Sequence, residues 1–276
     1  MTFEYVCFSI TDQCNLDCPY CYRIGSKNNY ISKEIFKVCV EKLKDLGCKR
    51  INISGGEPLL HPDWKYFVKL AYDLGIIVVL STNGLLLNLN DSILKYVDLV
   101  VISLDGSNSE IDSLFRGSAH YDATINLLEK YKTGQYPFKL KVCTVMTREN
   151  ISDLPNIIPI IDGKNIFWRI FYCKDKGIYN HIGKESLLER TEYRSKIDEL
   201  KTNISQSITF MYDNCVEDGG NVTVNTLISA DGELFVSDSK SDTHICSMYQ
   251  LSPTDIMQSV LNRGLLVKKH NFYYGI

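Results

Sequence analysis

From Glu4 onward, short β-branched and aromatic runs alternate with longer segments whose apolar residues recur every three or four positions. Residues 4–11, Glu-Tyr-Val-Cys-Phe-Ser-Ile-Thr, read as a first strand. Ser32 can N-cap a helix over 33–46, with Ile35, Val38, Cys39, Leu43 and Leu46 at helical spacing and Gly47 as the stop. Arg50–Ser54 is a second strand, 62–74 a second helix closed by Gly75, and Ile76–Ser81 a third strand. A short helix near 90–95 leads to a fourth strand, Leu99–Ser103. A helix over 120–133, a strand over 138–146, a helix over 152–161, a strand over 165–172 and a long polar helix over 185–203 continue the alternation. Six strand–helix units, with strands apolar on both faces, predict a parallel sheet with helices outside.

After about residue 205 the pattern changes. Val222–Ser229, the turn Ala230-Asp231-Gly232-Glu233 and Leu234–Val236 read as a β-hairpin with an Asp-Gly turn. A helix over 253–263 follows, with Pro253 in its first turn and Gly264 as its stop. Residues 205–276 are therefore a small appended α+β region behind a larger unit, 1–204.

The polar turns fall at the C-terminal ends of the expected strands: the loop after Thr11, Gly55–Pro58, Thr82–Gly84 and Asp105–Gly106. In parallel α/β architectures that edge is where sites are assembled. Composition adds mainly exclusions. A chain of 276 residues, 45% hydrophobic, is ordinary for a globular protein, and a net charge of -3 leaves no overall basic surface for nucleic acid. No apolar run approaches the roughly 20 residues of a bilayer span, and Met1-Thr-Phe-Glu-Tyr5 lacks the pattern of a signal peptide. The expectation is a cytoplasmic protein with neither a membrane nor a nucleic-acid partner.

Ten cysteines are many for such a chain. Cys7, Cys39, Cys48, Cys143 and Cys173 lie inside apolar elements and read as small buried hydrophobes. Cys14, Cys18 and Cys21 differ, because they cluster in a polar loop, Cys14-Asn-Leu-Asp-Cys18-Pro-Tyr-Cys21-Tyr22. Thiolates suit zinc, copper(I) or iron–sulfur clusters. A structural zinc site closes with four ligands, and no second C-x2-C pair exists to supply them. Dithiol redox chemistry would use Cys18 and Cys21 and leave Cys14 without a role. A [4Fe–4S] cluster on three thiolates leaves one iron open to a small molecule.

The C-x3-C-x2-C loop, with aromatic Tyr20 before the last Cys, resembles the signature of the radical S-adenosylmethionine (SAM) superfamily. Gly55-Gly56-Glu57-Pro58 resembles the family's GGEP motif, whose backbone and Glu receive the methionine amino group. Ser81 and Asn83 match SAM-contacting positions after the third strand. Ser103 and Asp105, in Ser-Leu-Asp-Gly, resemble the SxDG motif, and Asp112-Ser-Leu-Phe-Arg116-Gly117 a following stretch whose Arg would pair with the SAM carboxylate. Tyr20 and Tyr22 would flank the adenine, the latter through its backbone. Thr144 and Met146 are further candidates on the adenosine side. The resemblance covers about residues 4–175 and implies an α/β fold, a partial (β/α)6 TIM-like barrel with a small C-terminal α+β cap. It implies an enzyme whose [4Fe–4S] cluster is held by Cys14, Cys18 and Cys21. One electron, from a donor such as flavodoxin or ferredoxin, would cleave SAM to a 5′-deoxyadenosyl radical that abstracts hydrogen from substrate.

The tail resembles a shortened SPASM or Twitch module, the auxiliary-cluster region of many radical SAM enzymes acting on peptides. Cys215 and the hairpin 228–237 are similar to its start, but Ser237 stands where the module has a Cys. Cys246, His244 and His270 are the remaining donors. The expectation is a cap without a cluster of its own, and about four irons per chain. The implied substrate is a peptide or peptidyl side chain, with epimerisation, crosslinking or maturation as outcomes. A small-molecule radical SAM enzyme of cofactor, nucleoside or sugar biosynthesis is the second reading, and a non-catalytic iron–sulfur protein the third. Cys173 and Cys215 are the candidate hydrogen donors to a substrate radical.

Overall fold

The computed structural model describes residues 3–23, 30–177, 180–213, 225–237 and 242–262. Parallel strands β1 (Tyr5–Ser9), β2 (Arg50–Ser54), β3 (Ile77–Ser81), β4 (Leu99–Ser103), β5 (Lys139–Met146), β6 (Ile166–Tyr172) and β7 (Ile208–Tyr212) lie side by side in chain order. The tail extends the same sheet beyond β1. There β8 (Asn225–Ile228) pairs parallel to β1, and β9 (Glu233–Ser237) and β10 (Asp242–Ser247) follow antiparallel. The order is β10-β9-β8-β1-β2-β3-β4-β5-β6-β7, with β10 and β7 the outermost strands among the described residues.

Seven helices accompany the strands among the described residues: α1 (Lys33–Asp45), α2 (Trp64–Asp73), α3 (Ser109–Arg116), α4 (His120–Thr133), α5 (Leu154–Ile161), α6 (Arg190–Asn203) and α7 (Pro253–Leu261). Their ends follow from local chemistry. The Ser32 side chain accepts from the Ile35 amide at 3.2 Å to start α1, and Gly47 takes φ +83° just past its end. Ser252 caps α7 in the same way. The polar helix begins later than its composition suggests. Residues 184–186 form a 3-10 turn, and a reciprocal capping box between Glu189 and Glu192 sets the start of α6. Three elements went unread in the sequence: α3, β7 and β10.

Strand alternation separates two faces. On the helix side, Val6, Phe8, Ile51, Ile53, Val78, Leu80, Val100 and Ile102 join Phe36, Val40, Leu43, Phe67 and Val68 in one large core. The tail buries its apolar side in that same core, through Leu234, Val236, Ile245, Met248, Ile256 and Val260. On the opposite face, Val79, Leu99, Val101 and Phe167 form a separate small cluster. Towards the C-terminal ends of β1 to β4 that inner face turns polar, with Ser9, Asn52, Ser54, Ser81 and Ser103. The helices thus cover one side, and the polar strand ends gather on the other.

The inner face also changes the reading of two cysteines. Cys39 and Cys48 lie in the helix-side core, as their apolar setting suggested. Cys7 and Cys143 are only half-buried and share alternation with the inner polar residues. The Asn52 amide donates to Cys7 Sγ at 3.6 Å.

Candidate active site

The loop after β1 is bound to the loop after β2. The Gly56 amide donates to the Thr11 carbonyl at 2.7 Å, and the Glu57 amide to the Gln13 carbonyl at 2.7 Å. Both approaches require glycine. A Cβ on Gly55 would lie 2.3 Å from the Thr11 carbonyl oxygen, and one on Gly56 would lie 2.2 Å from the Gln13 carbonyl oxygen. The Gly-Gly-Glu segment thus fixes the base of the Cys14–Cys21 loop.

Each of the three thiols has its own N–H donor. The Leu16 amide reaches Cys14 Sγ at 3.4 Å, Arg116 Nη1 reaches Cys18 Sγ at 3.4 Å, and Arg23 Nε reaches Cys21 Sγ at 3.2 Å. Burial pushes the Cys14 thiol up and the Cys18 thiol to about 11, the latter against the pull of the Arg116 guanidinium. Among the described residues, no three His, Cys, Asp or Glu side chains gather around a point as donors to a single metal ion. Three thiols on one loop, each with an N–H donor to its sulfur, fit the ligand chemistry of an iron–sulfur cluster.

A continuous polar network joins this loop to the ends of β2, β3 and β4. Glu57 is fully buried, and its carboxylate accepts from the Leu59 amide (3.0 Å), Thr82 Oγ1 (2.7 Å) and the Asn83 amide (2.7 Å). Burial pushes its carboxyl pKa up, while these donors favour the ionised form. Asn83 donates through Nδ2 to Asn15 Oδ1 at 2.7 Å, inside the Cys loop. Its carbonyl meets His120 Nε2 at 3.0 Å, and His120 Nδ1 meets Asp112 Oδ2 at 2.6 Å. Asp112 Oδ1 in turn accepts from the Asp105 amide at 2.9 Å. Asp105, fully buried, accepts from Tyr20 OH (2.5 Å), Arg116 Nε (2.6 Å) and the Val145 amide (2.7 Å). Helix α3 makes this possible by setting Asp112 and Arg116 one turn apart on one face. Asn15, Thr82, Asp112 and His120 went unread as site residues. His120, at the start of α4, is fully buried, and a buried imidazole needs the polar partners that only the fold brings to it.

Of the other expected residues, Ser81 donates to Asn52 Oδ1 at 2.8 Å on the inner face, and Ser103 ends β4 on the same face. Tyr20, Cys18, Phe115 and Cys173 pack together, with Val145 and Cys21 against them. Burial pushes the Cys173 thiol up to about 12. Met146 lies apart from this group. It is fully buried in the helix-side core, and alternation along β5 brings Val145 to the site in its place. Thr144 shares Met146's side, donating to the Leu104 carbonyl and accepting from Trp168 Nε1. In the tail, Cys246 is buried in the core and His244 pairs with Glu233 at 2.6 Å. Cys215 and His270 lie outside the described residues.

A parallel α/β sheet with a three-cysteine loop after its first strand defines a class, and comparison with known proteins agrees. The model of the radical SAM superfamily matches residues 8–158, so the chain belongs to that superfamily. The family's cofactors are a [4Fe–4S] cluster and SAM, the pair that the resemblance implied. The chain is 29% identical over 176 residues to the mycofactocin maturase MftC of Mycobacterium tuberculosis, spanning 62% of this chain and 44% of that protein. It is 34% identical over 200 residues to a probable GTP 3′,8-cyclase of Methanocaldococcus jannaschii, spanning 70% and 60%. It therefore covers about half the length of these relatives. Among solved structures, Streptococcus suis SuiB bound to SAM superposes with a TM-score of 0.74 at 16% identity, over 92% of this chain and 65% of SuiB. The enzyme anSMEcpe, with bound SAM and a peptide, gives 0.72 at 18%, over 97% and 84%. These likenesses establish the fold as the family's partial TIM-like barrel. Among the described residues, no helix is long and apolar enough to cross a membrane.

Proposed function

We propose that this chain is a SAM-cleaving enzyme that modifies a peptide or peptidyl side chain. One observation carries the cofactor part: a three-thiol loop, each sulfur with an N–H donor, docked on a Gly-Gly cradle at the edge where four strand ends meet. In this reading Cys14, Cys18 and Cys21 hold a [4Fe–4S] cluster, which supplies the electron that cleaves SAM to methionine and a 5′-deoxyadenosyl radical. The protein's own residues then bind and orient. The Gly55-Gly56-Glu57 backbone would receive the amino end of SAM. The Glu57 side chain acts from behind by fixing Thr82 and Asn83, because its oxygens are already occupied by protein donors. Ser81, Asn83 and Ser103 would line the ribose side, and Asp105, fully buried and held by three protein donors, acts from behind as Glu57 does. Arg116, whose Nε and Nη1 are held by Asp105 and Cys18, has Nη2 left and would pair through it with the SAM carboxylate. Tyr20 and Tyr22 lie on the adenine side.

The peptide substrate is supported by the titles of related proteins: SuiB has been crystallised with the precursor peptide SuiA, and MftC is a maturase. A second reading, a small-molecule substrate, draws on the GTP 3′,8-cyclase likeness. One experiment separates them. Anaerobically reconstituted, dithionite-reduced protein is incubated with SAM and, in parallel, with GTP or with short peptides encoded beside the gene. The proposal expects 5′-deoxyadenosine, with a mass change in a peptide. A new product from GTP alone supports the second reading, and no 5′-deoxyadenosine in any arm excludes both.

Cys173 is the proposed hydrogen donor if the outcome is epimerisation, since it packs beside Cys18 and Tyr20. Cys173→Ala is then expected to keep 5′-deoxyadenosine formation and to lose the epimerised product. Unchanged product formation would pass the role to another thiol, such as Cys215 or half-buried Cys143.

A further inference from the structure

The tail reaches the cysteine loop at one place. Ser237 ends β9 and stands opposite Asp242, the first residue of β10. Alternation from the core residues Leu234 and Val236 turns Ser237 away from the helices. There its Oγ meets Tyr22 OH at 2.5 Å and accepts from Lys176 Nζ at 3.0 Å. Tyr22 OH donates to Asp242 Oδ1, and Lys176 Nζ pairs with that same oxygen at 2.9 Å. The Lys176 ammonium also lies 5.1 Å from the centre of the Tyr22 ring.

The donors and acceptors close into a ring. A phenol has one proton, and that of Tyr22 goes to Asp242, so the Ser237 hydroxyl donates to the Tyr22 oxygen. Lys176 donates to both Ser237 and Asp242. The ring needs an atom at 237 that donates and accepts well, which a hydroxyl does and a thiol does poorly. Ser237 is 2% exposed, and the Lys176 and Asp242 side chains are 10% and 19% exposed, so the ring works largely out of water. Tyr22 itself is 41% exposed. Its ring is therefore held by its hydroxyl rather than by burial.

A backbone contact runs through the same residues. Gly177, at φ +110°, lies so close to the cysteine loop that a Cβ on it would sit 2.9 Å from the Cys21 carbonyl oxygen. The His181 amide donates to the Pro19 carbonyl at 2.8 Å. The segment after β6 thus lies against residues 19–22, and the tail ties both together.

We propose that Tyr22 is a positioning residue held by the tail, and that the ring Lys176–Ser237–Tyr22–Asp242 fixes the Cys21–Tyr22 backbone for SAM. Ser237, at the position where the SPASM or Twitch module of the resemblance has a cysteine, serves here in a hydrogen-bonding clasp on the cysteine loop. The inference rests on the cofactor reading above, and iron content tests that reading separately. Tyr22→Phe removes one hydroxyl and leaves ring and backbone in place. In cluster-loaded full-length protein, Tyr22→Phe and Asp242→Asn are each expected to speed amide exchange in residues 17–23 and to raise the SAM dissociation constant about tenfold. The electron paramagnetic resonance signal without SAM stays the same, and the shift on adding SAM diminishes. The double variant should be no worse than the worse single one, because either change opens the ring. Lys42→Met, which loosens the tail far from the ring, should leave SAM affinity unchanged. Wild-type exchange and SAM affinity in Tyr22→Phe overturn the proposal, as does an equal loss of affinity in Lys42→Met. Failure of the unaltered protein to bind iron would instead refute the cofactor reading.

Discussion

The strand-end edge and the tail belong to one sheet but are built differently. At the edge, nearly every polar side chain is held more than once: Glu57 by three donors, Asp105 by three, and His120 at both nitrogens. Side chains fixed in this way meet a ligand with little left to order, which is how a site gains affinity and geometry together. The tail is anchored mainly by apolar burial, and among the described residues its polar contacts with the cysteine loop centre on Tyr22. The family match ends at residue 158, so the shared machinery is the pre-ordered edge. A region held by generic burial can vary in sequence without unfolding the edge, provided Ser237 and Asp242 keep their hold on Tyr22.

The sharpest way to break this contrast is to remove the thiols. Cys14→Ala, Cys18→Ala and Cys21→Ala combined are expected to lower iron from about four per chain to near zero and to abolish SAM cleavage, with circular dichroism unchanged. Iron surviving the triple change would place a cluster in the tail and erase the difference between the two regions. Next in size is Gly56→Ala. Its Cβ would meet the Gln13 carbonyl carbon at 2.6 Å as well as the oxygen, and backbone cannot rotate away as a side chain can. We expect a stability loss of about 3 kcal/mol or more and SAM binding weakened about a hundredfold. Denaturant unfolding and equilibrium dialysis measure the two. Near-normal SAM affinity would show that the cradle is not where SAM binds.

Those two changes fall on features that were legible in the sequence, and the reason is chemical. The spacing of Cys14, Cys18 and Cys21 and the pair Gly55-Gly56 are set by local geometry, so they stand out in a linear reading. Six of the strands and their helices were equally readable, because β-branched and aromatic residues mark the strands whether they run on, as in Ile77–Leu80 and Leu99–Ile102, or alternate, as in Arg50–Ser54. Asn15 and His120 were not, and Asp112 was read only as part of Arg116's motif, since each acts through a partner brought close only by the fold. Met146 shows the converse: its position in the chain suggested a contact that the alternation of β5 gives to Val145. In the tail, β10 was hidden because Asp242-Thr-His-Ile-Cys-Ser247 is largely polar, and its pairing with β9 bulges between His244 and Cys246. Arg169, in the middle of β6, pairs with Asp213 just past the end of β7, another contact of residues far apart in sequence.

The smallest expected effect lies where the tail joins the main body. Lys42 on α1 sends Nζ to three tail carbonyls, those of Met248 (3.0 Å), Tyr249 (2.9 Å) and Leu251 (2.7 Å). One ammonium thereby satisfies the turn between β10 and α7, and Ile256 and Val260 of α7 pack into the core nearby. Lys42→Met keeps most of the aliphatic stem and removes the charge. The carbonyls sit in a partly solvated turn, so water can replace some of what is lost, and the cost is about 1.5–3 kcal/mol. For a chain of this size that lowers the melting temperature by roughly 3–5 °C. Amide exchange should rise in 242–262 and stay unchanged in 50–116, with 5′-deoxyadenosine formation intact. If exchange rose equally in both segments, edge and tail would be opening as one cooperative unit, and the separation of a rigid site from a separately anchored tail would fail.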